Sequence, residues 1–246
     1  MPGHTRTVPN LPPVLLLDLD DTILDDTGGR DRCWQVACAD AAARYPHVDA
    51  ARLRLEVEHV RDWFWGDAER HATWRLQMRE AWVEVSREAL LRLDVEDGEI
   101  ARFVGERHFE LRDAAMAPFP GALETLERLR ALGITLGLIT NGGSEGQRAK
   151  IERFALAAHF DYVGIEGEVG VGKPHRIAYE TALRHLDAAP ADAWMVGDNL
   201  EWDVAGAQAV GILGIWIDPD ERGLPHGTTV APDRVIRSIG ELLPAT

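Results

Sequence analysis

From residue 134 onward, short apolar runs alternate with helix-length amphipathic segments, and that rhythm limits the folds open to the chain. Residues 134–139 (ITLGLI) form one such run and stop at TNGG. Ser144 then opens an expected helix, with Gln147 three residues on at the spacing of a capping box. Tyr162–Ile165 is the next run. Pro174 is placed to start another helix, whose Ala178, Ala182, Leu183 and Leu186 make an apolar stripe. Residues 193–196 (AWMV) and Leu213–Ile217 (LGIWI) read as further strands. An expected helix over 201–210 lies between them, and a helix over 233–243 is expected to close the chain. Upstream, Val14–Leu17 (VLLL) is another unbroken apolar run, suited to a strand covered on both faces.

This alternation predicts an α/β fold, a Rossmann-like parallel sheet with helices on both faces. Right-handed crossovers bring the carboxyl ends of all strands to one edge, where such sheets bind ligands. Residues 14–26 and 116–246 are assigned to this core, and the Pro-rich residues 1–13 to a flexible tail.

Residues 27–115 break the pattern. They are helical in periodicity, rich in Arg and Glu, and hold five of the eight tryptophans: Trp34, Trp63, Trp65, Trp74 and Trp82. So long an insertion must bury apolar faces of its own rather than form a bare loop. It is expected to be an all-helical cap domain, hinged near residues 26–29 and 116–121. Trp74, Met78, Trp82 and Val85 are spaced as one face of a single helix. In DWFWGD (residues 62–67) three adjacent aromatics cannot all point inward, so at least one should be exposed. His59, Arg61, Arg70, His71 and Arg75 are the candidate substrate contacts in this region. Cys33 and Cys38, five apart on an expected helix, point to different faces and should remain unbridged.

The net charge of −15 argues against binding to nucleic acid or to an anionic membrane surface. No apolar run approaches the roughly 20 residues of a membrane span, and the first residues lack the apolar stretch of a signal peptide. The expected location is the cytoplasm.

Candidate chemistry lies just past the strand ends. Asp18, Asp20, Asp21 and Thr22 follow the first strand; Thr140, Asn141 and Gly142 the second; Gly172, Lys173 and Pro174 the third; Gly197, Asp198 and Asn199 the fourth, with Asp203 shortly after. Carboxylates crowded at the mouth of a buried strand repel one another and lose hydration, and a divalent cation among them would offset both costs. Magnesium favours such hard oxygen donors.

The motifs DLDDT (residues 18–22), ITNG (139–142), GKP (172–174) and GDNLEWD (197–203) together resemble those of the haloacid dehalogenase (HAD) superfamily, in the phosphatase branch with a C1-type helical cap. The resemblance implies a magnesium-dependent phosphomonoester hydrolase for a small phosphorylated metabolite, such as a sugar phosphate or nucleotide, working through an aspartyl-phosphate. It implies Asp18 as nucleophile, Asp20 as general acid and base, and Lys173 as a catalytic cation. The implied Mg2+ ligands are the carboxylates of Asp18 and Asp198 and the carbonyl of Asp20. Thr140, Asn141, Gly142 and Lys173 would bind the phosphate, with Asp203 and Asn199 in an outer shell that orients Lys173 or a metal-bound water. Asp21 is expected to shape the turn, Thr22 to fix it by hydrogen bonding, Asp25 and Asp26 to be solvated or hinge residues, and His175 to be an exposed helix-start residue. A phosphomutase, a 2-haloacid dehalogenase or a non-catalytic phosphate-binding module would share the fold. The motifs leave the substrate and the oligomeric state open.

Overall fold

The computed structural model describes residues 11–244; most of the expected tail, residues 1–10, lies outside them. Pro13 is already tied down, since its carbonyl accepts from Thr135 N (3.0 Å). By packing, the chain forms two compact units, one running to Asp25 and resuming at Pro118, the other comprising Asp26–Ala117.

The strands are β1 (Val14–Leu17), β2 (Leu24–Asp25), β3 (Ala117–Pro118), β4 (Thr135–Thr140), β5 (Tyr162–Ile165), β6 (Ala193–Gly197), β7 (Leu213–Ile217) and β8 (Arg234–Ile236). Six form one sheet in the order β5-β4-β1-β6-β7-β8, with every pairing parallel. The expected Rossmann-like fold is therefore present. All four side chains of β1 are buried, which is why its run is apolar without alternation. The order of connection reverses on either side of β1: the chain runs outward through β4 and β5 in one direction, and through β6, β7 and β8 in the other. That switch point is where a sheet of this kind opens a crevice for ligand.

The helices are α1 (Arg30–Arg44), α2 (Ala50–Trp65), α3 (Ala68–Trp74), α4 (Met78–Leu91), α5 (Gly98–Ala115), α6 (Ala122–Ala131), α7 (Ser144–Arg153), α8 (Glu166–Val169), α9 (Arg176–His185) and α10 (Gly206–Gln208). The stripe expected on α9 packs as read: Ala178, Ala182 and Leu183 join Val14, Leu16, Ala193 and Met195 in one core cluster, with Leu186 against it.

Three elements of the α/β unit differ from expectation. The closing segment is not a helix over 233–243. Residues 234–236 extend the sheet as its sixth strand, with Val235 exposed and Ile236 buried in strand alternation, and a 3₁₀ turn at Ile239–Leu242 ends the segment. Pro174 lies outside its helix: α9 begins at Arg176 behind the exposed His175, whose ring accepts from Ile177 N. The expected helix over 201–210 winds as a π-helix over Leu200–Ala205 before α10.

The second unit consists of α1 to α5. Asp49, Asp67 and Asp97 cap the N-termini of α2, α3 and α5 by accepting backbone N–H groups. Trp74 and Met78 belong to different helices, because the chain breaks between α3 and α4; both still pack on the cluster that buries Trp82 and Val85. Of the three adjacent aromatics, Phe64 is buried and Trp63 is exposed, the latter covered by the Arg70 guanidinium 3.9 Å from its ring. Cys33 and Cys38 are buried and unbridged. Asp26, expected to be solvated or hinge-like, pairs with Arg112.

Helices α4 and α5 meet at Gly105. A Cβ there would come within 2.5 Å of the Val83 backbone, which cannot move like a flexible side-chain tip. In an isolated helix alanine would be favoured by about 1 kcal/mol. Here the steric term should win, so Gly105→Ala is expected to destabilise the protein by about 1–3 kcal/mol. Urea unfolding of the two proteins measures the difference; a more stable variant would contradict the packing argument.

Candidate active site

The site grows from three neighbouring strands. Asp18 leaves the end of β1, and its backbone N–H donates to Val196 O of β6 (2.9 Å), which fixes where the carboxylate starts. Thr140 ends β4 and Asp198 follows β6. The carboxylate oxygens of Asp18, Asp198 and Asp203 gather within 4.8 Å of one another.

Lys173 enters from the loop after α8. Its Nζ donates to Asp18 Oδ1 and to Asp203 Oδ1, each at 2.6 Å, and the side chain is 1% exposed. Two hydrogen bonds from the side chain of Asn141 hold this loop in place. Asn141 Oδ1 accepts from Lys173 N, and Asn141 Nδ2 donates to Lys173 O, both at 2.7 Å. Asp203 is in turn oriented by Asn199 N, which donates to its Oδ2 (3.0 Å). Only glycine fits at 197, since a Cβ there would lie 2.2 Å from the Asp203 carboxylate. Asn199 was expected in the outer shell beside Asp203, which its backbone N–H does contact. Its side chain instead caps the following helix by accepting from Glu201 N and Trp202 N.

Electrostatics explain why the cluster invites a cation. Burial pushes the Asp18 carboxyl up to about 7; Lys173 pulls it back, while Asp203 and Asp20 add to the rise. Burial likewise pushes Asp198 up to about 9, helped by Asp18, Asp203 and Asp21 against the pull of Lys173. Burial disfavours the Lys173 ammonium, but the carboxylates of Asp18 and Asp203 outweigh it and leave its pKa raised. One ammonium among this many carboxylates leaves negative charge without compensation. The donors are all oxygen, so they fit a hard divalent cation.

Asp20 is partly exposed, and its carboxylate is gripped from α7. Lys150 Nζ sits 2.7 Å from Oδ1 and Gln147 Nε2 sits 2.9 Å from Oδ2. Sequence reasoning missed both residues. Gln147 was expected to close a capping box, but Gly143 precedes the helix without a side-chain cap, and Gln147 is buried against the site. Glu166 was missed too. Gly142 N, expected to donate to phosphate, donates to Glu166 Oε2 (3.0 Å), while Gly167 N donates to Gly142 O (3.0 Å). These reciprocal bonds join the loop after β4 to the start of α8. Thr140 Oγ1, another expected phosphate donor, is buried and accepts from Gln147 Nε2 (2.9 Å).

The turn after β1 is closed by backbone bonds from Asp21 N to Leu24 O, and from Ile23 N and Leu24 N to Leu19 O. Asp21 there adopts a left-handed backbone, φ 57°. Thr22 Oγ1, expected to fix this turn, is buried without a hydrogen-bond partner among the described residues.

Residues 13–211 match the family model for haloacid dehalogenase-like hydrolases. The chain belongs to that family. It is 34% identical over 255 residues to the phosphoserine phosphatase of Thermus thermophilus, a similarity covering 93% of this chain and 97% of that one. Pyrimidine 5'-nucleotidase YjjG of Escherichia coli is 32% identical over 72% of this chain and 75% of its own. Among solved structures, the HAD-hydrolase YfnB of Bacillus subtilis, solved bound to magnesium, shares the fold with a TM-score of 0.72. It covers 94% of this chain and 97% of its own at 19% identity. The 2-haloacid dehalogenase of Pseudomonas syringae superposes with a TM-score of 0.61, at 26% identity over 93% of this chain and 95% of its own. This chain is thus a HAD-family hydrolase with phosphatases among its relatives, and no described helix is long and apolar enough to cross a membrane.

The raised carboxyls give a pH-dependent test of the cation site. Folded Asp18 and Asp198 keep their protons to higher pH than in the unfolded chain, where the value is near 3.8. Their contribution to stability is therefore full below about pH 4 and is lost as pH rises through about 7 and 9. A cation binds the deprotonated forms, so millimolar Mg2+ should raise the Tm more at about pH 8 than at about pH 5. Thermal melts with Mg2+ and with EDTA measure this; equal shifts at both pH values would count against a carboxylate site.

Proposed function

We propose that this HAD hydrolase is a magnesium-dependent phosphomonoester hydrolase that turns over a small phosphorylated metabolite through an aspartyl-phosphate. The observation that carries the reading is the buried Asp18–Lys173–Asp203 chain with Asp198 beside it at the switch point of the sheet. Three carboxylates around one ammonium suit phosphoryl transfer, which is mostly positioning and charge stabilisation.

In this reading Asp18 attacks phosphorus in line. The P–O bond to the leaving alcohol breaks and a proton from Asp20 goes to the departing oxygen. Asp20 then takes a proton from the water that cleaves the acyl-phosphate, which returns Asp18 to its carboxylate form. Lys173 holds Asp18 in place and balances charge on the transferring group. Thr140 and the N–H groups of the loop after β4 face that group's oxygens once Glu166 yields the one it occupies. The carboxylates of Asp18 and Asp198, with the Asp20 carbonyl, would hold magnesium, which supplies positive charge to the phosphoryl oxygens when bound. Asp203 stays in an outer role through its bonds to Lys173 and Asn199.

The named activities of the relatives span an amino-acid phosphate and a pyrimidine nucleotide, so the proposal stays with the substrate class. The helical unit is the cap in this reading, and substrate preference is assigned to it. A concavity of about 510 Å³ within that unit is lined by Arg30, Arg61, Arg75, Arg112, Trp65 and Trp82, among others, a surface suited to an anionic leaving group. Dehalogenases share the fold, but displacement of halide from carbon needs neither a cation site nor a proton donor; the carboxylate cluster favours the phosphatase.

A phosphate-release screen over phosphoserine, nucleotides and sugar phosphates, with Mg2+ or EDTA, tests the proposal. Activity should require the metal, and Asp18→Asn should abolish turnover because an amide cannot act as this nucleophile. Asp20→Asn should slow alkyl phosphates by about 10²–10³-fold and aryl phosphates much less, since a good leaving group needs little help from an acid. Full activity of Asp18→Asn would sink the mechanism.

A further inference from the structure

Gln147 faces the wrong way for an ordinary surface helix. It lies on the first turns of α7, where a polar side chain could have stayed in solvent, yet it is 5% exposed. Its Nε2 approaches Asp20 Oδ2 (2.9 Å), Thr140 Oγ1 (2.9 Å) and Asn141 O (2.6 Å). A flipped amide would present an oxygen to these three oxygens, so the acceptors fix its orientation. The opposite atom, Gln147 Oε1, is buried with no partner among the described residues. Leaving such an atom unpaired is costly, so the amide is not placed for stability alone.

Lys150 follows three residues later, on the same face of the helix. Its ammonium lies 2.7 Å from Asp20 Oδ1, and the side chain as a whole is only 20% exposed. Both carboxylate oxygens of Asp20 are therefore held from α7, one by an amide and one by a cation. The contacts span 127 and 130 residues of sequence.

We propose that Gln147 and Lys150 are positioning residues for Asp20: they set the plane of its carboxyl group and stabilise the negative charge that forms there as its proton passes to the leaving oxygen. The proposal rests on the reading of Asp20 as general acid and base. As the P–O bond to the leaving group breaks, the Asp20 O–H bond breaks with it and the proton ends on the departing alcohol. The carboxylate left behind is the acceptor that the Lys150 ammonium and the Gln147 N–H require. Measured from the protonated acid, their contacts strengthen as the proton leaves, so they lower the barrier of the transfer itself. A carboxyl fixed at two points also loses little freedom as it delivers a proton. Through its contact with Thr140, Gln147 further ties Asp20 to the loop assigned to phosphate.

The test compares p-nitrophenyl phosphate with the alkyl monoester turned over fastest in the phosphate-release screen. Lys150→Met and Gln147→Leu should each lower kcat on the alkyl ester by about tenfold or more, with KM little changed, and on the aryl ester by less than about threefold. Lys150→Arg should restore most of the loss. In an Asp20→Asn background, adding Lys150→Met should change alkyl turnover by less than about threefold, because the group it serves is gone. Gln147→Glu, close in size but without the donor, guards against a folding artefact in Gln147→Leu, and melts of every variant report the fold directly. Equal losses on both esters, or a full additional loss in the Asp20→Asn background, would overturn the inference. If Asp20→Asn shows the leaving-group preference and Lys150→Met does not, the positioning role fails while the acid/base reading stands. If Asp20→Asn itself shows none, both fall.

Discussion

The ammonium of Lys173 is the pivot of this structure. It is buried, bonded to Asp18 and Asp203, and surrounded by more negative charge than it can balance. Isolated, any of these groups would be very unfavourable in an apolar interior. Together they tolerate burial because each meets an opposite charge at hydrogen-bond distance. Removal of the Lys173 ammonium would leave the Asp18 and Asp203 carboxylates uncompensated, a loss on the order of 3–5 kcal/mol. The surroundings serve this arrangement: Asn141 fixes the Lys173 backbone, Gly197 leaves room for the Asp203 carboxylate, and Asn199 N–H sets its angle.

The sheet makes that cluster possible at modest entropic cost. Asp18 lies 155 residues from Lys173 in sequence, yet β1 is central and its neighbours β4 and β6 deliver Thr140 and Asp198 to the same edge. The fully apolar β1 supplies rigidity at its end, where flexibility would be most damaging. The helical unit has a separate hydrophobic core, so variation of its lining residues need not disturb the carboxylates.

How much of this could be seen in the sequence depends on the range of the interaction. The parallel sheet was legible because each buried strand writes its burial locally as an unbroken apolar run. The positions of Asp18, Lys173, Asp198 and Asp203 followed, since strand ends of such a sheet must share one edge. The last strand was missed: Arg234–Ile236 is only three residues long, too short to show a period against the helix-like spacing around it. Gln147 and Lys150 were missed for another reason. On α7 they look like ordinary polar residues, and nothing local announces that the helix turns them toward Asp20. Glu166, at the start of a four-residue helix, gave no signal of its bond to Gly142. Asn199 was placed near the right neighbours, but its side chain follows the ordinary capping rule and only its backbone serves Asp203.

The bond between Glu166 and Gly142 bears on affinity. An incoming phosphoryl group that engages this amide must evict a resident carboxylate, so one anion replaces another and the net gain is only their difference. In the resting protein the same bond keeps the loop organised. In the proposed reaction it also discounts tight binding of any small anion that merely resembles the substrate's terminal oxygens, free inorganic phosphate among them, and so would favour release of that product.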